Sequence, residues 1–207
     1  MIISISGASG SGKSTVAEKL AKKFNWPRYY IGGMRREMAK KQGLTLAEYN
    51  KLGERNPATD LEVDEYQKKL GQTKDNFIIE GRTSWYLIPC SLKIYLDVDE
   101  KVAARRIFEE LKGKHSRNED KNLKTITQVL KSQRTRIKSD KIRYKKYYQI
   151  NVYNKKNYDF VLDTTKLNEN QVFAKIYDFI KFRLNTGQNS PRNRSTAKRQ
   201  TKGLLDC

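Results

Sequence analysis

Gly7-Ala8-Ser9-Gly10-Ser11-Gly12-Lys13-Ser14 decides the fold of this chain. It fits the spacing G-x-x-x-x-G-K-[ST], a loop that wraps phosphates. The flanks agree with that reading. Ile2 to Ser6 is an apolar, β-branched run of strand length. From Thr15 onward Val16, Leu20, Ala21 and Phe24 recur at spacings of three and four, the period of a helix. The order is therefore strand, glycine loop, helix. A loop closing on a di- or triphosphate turns successive backbone N–H groups inward, and Gly7, Gly10 and Gly12 supply the room and the dihedral freedom. The next helix points its N-terminal amides and positive dipole end at the same phosphates. Lys13 then reaches the β- and γ-phosphates and the Ser14 hydroxyl ligates Mg²⁺, with Ala8, Ser9, Ser11 and Thr15 completing the nucleotide-binding stretch. A flexible glycine-serine turn is the plain alternative. The bare pattern arises by chance in about one chain of this length per hundred, and the strand and helix around it lower that.

A length of 207 residues suits one α/β domain with a sizeable core. Apolar residues make up 37% and charged residues 32%, so the core is thin and the surface heavily charged. Lys and Arg number 43 against 23 Asp and Glu, a net charge of +20. Polyanions are the partners this balance admits, including non-specific RNA contact through the basic surface and tail. A lysine-rich proteome would give the same excess with no specific partner. Cys90 and Cys207 build neither a disulfide framework nor a zinc site, which fits a reducing cytoplasm. No apolar run approaches the ~20 residues that span a bilayer, so no membrane role is expected. The expected state is a monomer.

Along the chain, Tyr29-Tyr30-Ile31 reads as a short buried strand, and Gly32-Gly33 opens a helix that Gly43 ends. Thr45 with Glu48 reads as a helix start, capped by a threonine with an acid three residues on. Asn56-Pro57 breaks that helix, and a polar helix fills residues 58 to 70. Strands follow at 77 to 82, ending in Glu80-Gly81-Arg82, and at 92 to 98. Asp99 caps a helix over residues 100 to 112. Residues 113 to 122 hold no apolar side chain and read as a mobile loop. A long basic helix over 123 to 148, a strand over 158 to 163 and a helix over 169 to 184 complete the domain. Strands alternating with helices imply a three-layer α/β sandwich of the P-loop NTPase type. It has a parallel sheet of about five strands, helices on both faces and a small lid. Ligands then sit at the C-terminal ends of the strands. Residues 185 to 207 read as a disordered basic tail.

Bringing a phosphorylated acceptor to a nucleotide triphosphate sets two polyanions against each other. Several arginines and Mg²⁺ relieve that repulsion. Arginine suits the task because its planar fork holds phosphate oxygens in pairs and keeps its charge. Arg36, Arg82, Arg106, Arg134, Arg136 and Arg143 stand at useful places. Asp140 lies four residues from Arg136 and three from Arg143, and so can hold both. In a chain this basic, any one of these arginines is as readily a solvated surface cation. Arg82 is the best exception, because it follows a buried strand on the ligand-binding rim. His115, the only histidine, reads as a solvated loop residue.

At these positions the chain resembles a nucleoside monophosphate kinase, and in particular the short, archaeal-type cytidylate kinases. The likeness runs over residues 1 to 182. It rests on the glycine loop, Gly32-x-x-x-Arg36-Glu37, Gly43-Leu44-Thr45-Leu46-x-Glu48-Tyr49-Asn50, Asp60-x-Glu62-Val63-Asp64, Ile79-Glu80-Gly81-Arg82, Leu92 to Leu96, Arg106-Ile107, Arg143-Tyr144 and Asp159-x-Val161-Leu162-Asp163-Thr164. The resemblance implies ATP and a nucleoside monophosphate as substrates, Mg²⁺ as cofactor, and direct phosphoryl transfer to CMP or dCMP. It implies a kinase domain over 1 to 184, acceptor-binding helices over about 32 to 72 and a lid over about 113 to 122. Arg36 and Arg82 would hold the acceptor phosphate with Asp140 in the same substrate set. Arg136 and Arg143 would reach the transferring phosphates, and the turn after Asp163 would lie near the adenine. Tyr30 and Gly33 depart from the serine and aspartate expected beside the acceptor pocket, and Glu110 from a lid arginine. Two readings stay open beside CMP: a different acceptor such as AMP or UMP, and an RNA-associated NTPase or assembly factor on the same fold.

Overall fold

The first strand, β1 (Ile2–Gly7), is buried along its whole length, the condition of a strand covered on both faces. The computed structural model describes residues 1–113 and 123–186 and sets this strand at the centre of a five-stranded sheet. β3 (Phe77–Glu80) lies on one side, with Ile2 level with Phe77 and Ile5 with Glu80. β4 (Leu92–Asp97) lies on the other, with Gly7 level with Leu96. β2 (Arg28–Tyr30) and β5 (Phe160–Asp163) form the edges. The order is β2-β3-β1-β4-β5 and every pairing is parallel.

Among the described residues the α-helices are α1 (Lys13–Phe24), α2 (Ile31–Lys41), α3 (Leu46–Gly53), α4 (Ala58–Thr73), α5 (Ser84–Leu87), α6 (Glu100–Lys112), α7 (Ile126–Tyr148) and α8 (Glu169–Asn185). Alternate strand residues serve opposite faces. Ile3, Ile5, Ile78, Ile94 and Leu96 pack with Val16 and Leu20 of α1 and with Val172, Ile176 and Ile180 of α8. Ile2, Phe77 and Ile79 pack on the other face with Ile31 of α2 and with Val63 and Leu70 of α4. Ala104 and Ile107 join Val129 in a smaller cluster between α6 and α7. The helix starts are chemically marked. Thr45, Thr125 and Asn168 each close a capping box with Glu48, Gln128 and Gln171, and Asp99 accepts from the amides of Lys101 and Val102 at 2.9 and 3.1 Å. Each such cap contributes about 1 kcal/mol.

Local differences from the sequence expectation have local causes. The second strand begins at Arg28, because Ile78 N–H bonds the Pro27 carbonyl at 2.9 Å and Arg28 lies level with Ile78. Ile31 therefore starts α2, buried in the core, where a third strand residue was expected. The helix α4 runs to Thr73, past the expected end at 70. The long basic helix starts at Ile126 because Thr125 caps it. The four residues of α5 are too few to show a period and were not foreseen. Most of the expected lid, with His115, and most of the basic tail lie outside the described residues. Among the described residues no helix is long and apolar enough to cross a membrane.

Two outcomes test this packing. Gly53 ends α3 where α4 and α7 meet it, and a Cβ there would lie 2.7 Å from Thr59 Oγ1 and 2.9 Å from Arg143 Cδ. Alanine for glycine in a helix gains about 1 kcal/mol, whereas overpacking costs about 1–3 kcal/mol. Gly53→Ala is expected to lose about 1–2 kcal/mol in urea unfolding; a gain would mean that α3 is loosely seated. Asp64, buried between α4 and α5, accepts from Gln67 Nε2 at 3.0 Å, from Thr83 Oγ1 at 3.2 Å and from the Tyr148 hydroxyl. Burial pushes its carboxyl up to about 6 against the hydrogen bond from Tyr148. A folded pKa above the unfolded one favours the fold at low pH and loses that contribution as pH rises through the folded value. Stability of the wild type relative to Asp64→Asn is therefore expected to fall by up to about 3 kcal/mol between about pH 4 and pH 7. A flat difference would place the Asp64 carboxyl in solvent.

Candidate active site

The phosphate loop sits where backbone crowding demands glycine. Gly7 has φ 138°, and a Cβ on it would run into the Leu96 carbonyl of β4. Gly10 has φ 76°, with the Ala103 carbonyl of α6 only 2.8 Å from where a Cβ would stand. Ala8 N–H bonds the Leu96 carbonyl at 3.0 Å. Residues 7 and 8 thus seat the loop on the sheet, and Ser9 to Thr15 line a cleft of about 720 Å³. Lys13 lines it too; its ammonium donates to the Ala8 carbonyl and lies 3.5 Å from Ser11 Oγ.

The cleft has two ends. Leu167, Asn168 and Val172 line one, beyond the turn that follows β5. Arg106 ties that turn to the loop: Nη2 donates to the Thr164 carbonyl at 2.9 Å and Nη1 to the Gly10 carbonyl at 3.4 Å. Tyr30, Gly32, Arg35, Arg36 and Gly81 line the other end. There Arg36 donates to the Tyr30 hydroxyl and, at 3.0 Å, to the Gly32 carbonyl. The Tyr30 ring lies so close that a Cβ on Gly33 would be 2.7 Å from it. Glycine at 33 leaves room for the Tyr30 ring in this position, so the two departures from the family pattern meet in space. Glu110 also lines the cleft.

Arg82 and Arg136 face this space. Arg82 Nη2 donates to Ser9 Oγ at 3.1 Å, and its Nε lies 2.9 Å from Asp140 Oδ2 in an ion pair. Asp140 and Arg143 do not line the cleft. Each is 1% exposed. Asp140 accepts from Arg143 Nη2 at 2.7 Å and from the Tyr153 hydroxyl at 2.7 Å. Arg143 Nη1 reaches both Asp60 oxygens, at 2.6 and 2.7 Å, and Arg35 pairs with Asp60 from the other side. Arg143, expected to reach the transferring phosphates, is instead enclosed, because α7 turns it toward Asp60. Asp140, expected in the substrate set, is likewise enclosed and faces Arg82 and Arg143. Burial opposes ionisation of Asp140, but Arg82, Arg143 and Arg136 outweigh it and hold the carboxyl below its usual range. Burial likewise opposes the charge on Arg82, and Asp140 more than restores it. Arg134, by contrast, is a surface cation whose Nε donates to Glu100 at 3.0 Å.

Glu80 is the residue that sequence reasoning passed over, although an acid ending the apolar run Ile78-Ile79 was a visible signal. It is 2% exposed and lines the cleft. Oε1 accepts from Arg28 Nε at 3.1 Å, while Oε2 is buried with no hydrogen-bond partner among the described residues. Two residues after Ile78, Glu80 lies on the sheet face that α1 covers, the side of Lys13 and Ser14. An orphaned carboxylate oxygen and a serine hydroxyl on one side of a phosphate loop are hard oxygen donors, the set that Mg²⁺ takes along with phosphate oxygens and water. Ser14 and Glu80 therefore fit the ion that the loop implies. Arg35 was passed over as well, since the pattern pointed to its neighbour Arg36.

Comparison with known proteins agrees with this geometry. The model of the cytidylate kinase-like family matches residues 2–166. The cytidylate kinase of Methanocella arvoryzae is 33% identical over 181 residues, covering 87% of this chain and 97% of that protein. The cytidylate kinase of Pyrococcus furiosus is 33% identical over 175 residues, covering 84% and 85%. Among solved structures, the shikimate kinase of Bacteroides thetaiotaomicron superposes with a TM-score of 0.58 at 15% identity, over 88% of this chain and 97% of that one. That last likeness shows the P-loop kinase fold alone. From the extent of the sequence matches, this chain belongs to the cytidylate kinase-like family.

Proposed function

We propose that this chain transfers the terminal phosphoryl group of ATP to CMP or dCMP, giving the diphosphate and ADP. That it is a nucleoside monophosphate kinase follows from the family; the pyrimidine acceptor, Mg²⁺, a monomeric state and a cytoplasmic setting belong to the proposal. One observation supports it most: a single cleft has the phosphate loop along its middle and Arg36, Arg82 and Arg136 on its walls. Two polyanions can meet there with their repulsion screened by fixed cations.

The chain's own residues divide the work. Ser9 to Thr15 wrap the donor phosphates with backbone N–H groups, and Lys13 brings a mobile charge to the oxygens that become more negative. Arg36 and Arg82 grip the acceptor phosphate and set it in line. Arg136 approaches the transferring group. Asp140 and Arg143 are positioning residues: Asp140 fixes the Arg82 guanidinium, and Arg143 fixes Asp140. Bound Mg²⁺ would be held by the Ser14 hydroxyl and Glu80, and would neutralise charge between the β- and γ-phosphates. Arg36, Arg82 and Arg136 line the cleft, and a phosphate monoester supplies an anion for them.

ADP release from Mg·ATP with CMP, dCMP, UMP, AMP and GMP tests the reading. Turnover with CMP or dCMP far above the others is expected; a preference for another monophosphate would keep the mechanism and replace the acceptor. Lys13→Ala is expected to lower kcat by about 1000-fold or more with an unchanged circular dichroism spectrum, and retained turnover would remove the loop from the chemistry. Arg82→Ala is expected to lower kcat/KM for the acceptor by about 100- to 1000-fold. ATP affinity should change little, and an equal loss there would move Arg82 to the donor side.

A further inference from the structure

The cations of α7 are arranged unlike those of the other helices. Each of the other helices of eight or more residues carries an exposed acid among its cations, Glu18, Glu37, Glu48, Glu65, Glu109 and Glu169 in turn, and Lys19, Lys22, Lys51, Lys68 and Lys112 each pair with an acid. Residues 123–150 contain nine lysines and arginines and one acid, Asp140. That acid is buried and turned inward. Four of the nine cations have a local explanation. Arg143 is held by Asp60 and Asp140, Arg136 lines the cleft, Arg134 pairs with Glu100, and Lys146 donates to the Glu54 carbonyl at 3.2 Å. Lys124, Lys131, Lys138, Lys141 and Lys145 remain. All five are exposed and none has an acidic partner among the described residues.

Their spacing makes a row. Lys131, Lys138 and Lys145 repeat every seven residues, so they lie along one side of the helix, about 10 Å apart and about 21 Å from end to end. Lys141 fills the gap between the last two. Like charges three and four residues apart weaken a helix. Solubility needs only interspersed charges of both signs, which the other helices have. A linear row of point charges fits a linear polyanion better than a single nucleotide. No aromatic side chain is exposed on α7, so the face offers no platform for stacking bases. None of the five lysines lines the catalytic cleft.

We propose that this lysine row is a docking surface for RNA, gripping the phosphodiester backbone without reading its sequence. Each lysine that neutralises a phosphate releases a counterion, so affinity falls steeply with salt.

The test uses the full-length protein and a fluorescein-labelled oligouridylate of about 30 nucleotides, read by anisotropy between about 50 and 300 mM salt. One variant carries Lys124→Gln, Lys131→Gln, Lys138→Gln, Lys141→Gln and Lys145→Gln. Its control carries Lys19→Gln, Lys22→Gln, Lys51→Gln, Lys68→Gln and Lys112→Gln, the same loss of net charge taken from acid-paired lysines. Glutamine keeps the helix propensity of lysine, and circular dichroism and kinase turnover report that both variants fold. The row variant is expected to bind at least about tenfold more weakly at low salt, with a log–log salt slope shallower by about three. The control should stay close to wild type. Equal losses in the two variants would show that net charge, and not the row, holds RNA. Absence of wild-type binding at about 50 mM salt overturns the proposal. So does tighter binding to anionic phospholipid vesicles than to RNA through the same five lysines.

Discussion

A chain of buried opposite charges ties α2, α4 and α7 to the phosphate loop. It runs from Arg35 through Asp60, Arg143 and Asp140 to Arg82, and ends on Ser9 of the phosphate loop. Taking any one of these charges out of water is costly, and removing one partner of such a pair strands the other at a cost of about 3–5 kcal/mol. The elements that carry them are therefore bound to one geometry. α2 contributes Arg35, α4 Asp60, α7 the next two, and the turn after β3 Arg82. Asn50 of α3 also accepts from Arg35, at 3.1 Å, so the third helix is drawn into the same knot.

That knot connects the two halves of the cleft. The phosphate loop is fixed from below by the sheet, where Gly7 and Ala8 meet Leu96, and from the side by Arg106, which ties it to the turn after β5. Arg82 joins the loop to the buried charges. A shift of α7 would move Asp140, and with it the guanidinium expected to grip the acceptor. The same helix shows two faces with different chemistry. Its inner face spends its one acid on two arginines, and the lysines of its outer face form no ion pair among the described residues.

Much of the architecture was legible because its signals are local. The glycine loop, the strand before it and the helix after it occupy consecutive residues, so spacing alone identified them. Thr45 with Glu48, and Asp99 before its helix, were readable as caps because a cap bonds amides two or three residues away. The pairing of Tyr30 with Gly33 was not readable, although both were noticed as departures. Nothing in the chain order says that the ring lies over the first turn of α2. The role of Glu80 was hidden in the same way, since an acid at a strand end looks alike whether it meets solvent or a phosphate loop.

The sequence by itself determined a parallel α/β fold, a phosphate-binding loop at the end of its first strand, and a family. These follow from periodicity, from glycine at fixed offsets and from motifs a few residues long. Only the tertiary structure decided which arginines face the cleft and which are enclosed. Arg136 and Arg143 are seven residues apart on one helix and look equivalent along the chain, yet one lines the site and the other is 1% exposed. The difference is set by Asp60, 83 residues before Arg143. A partner so distant becomes a neighbour only when α4 and α7 meet, and a buried charge takes its role from its neighbours.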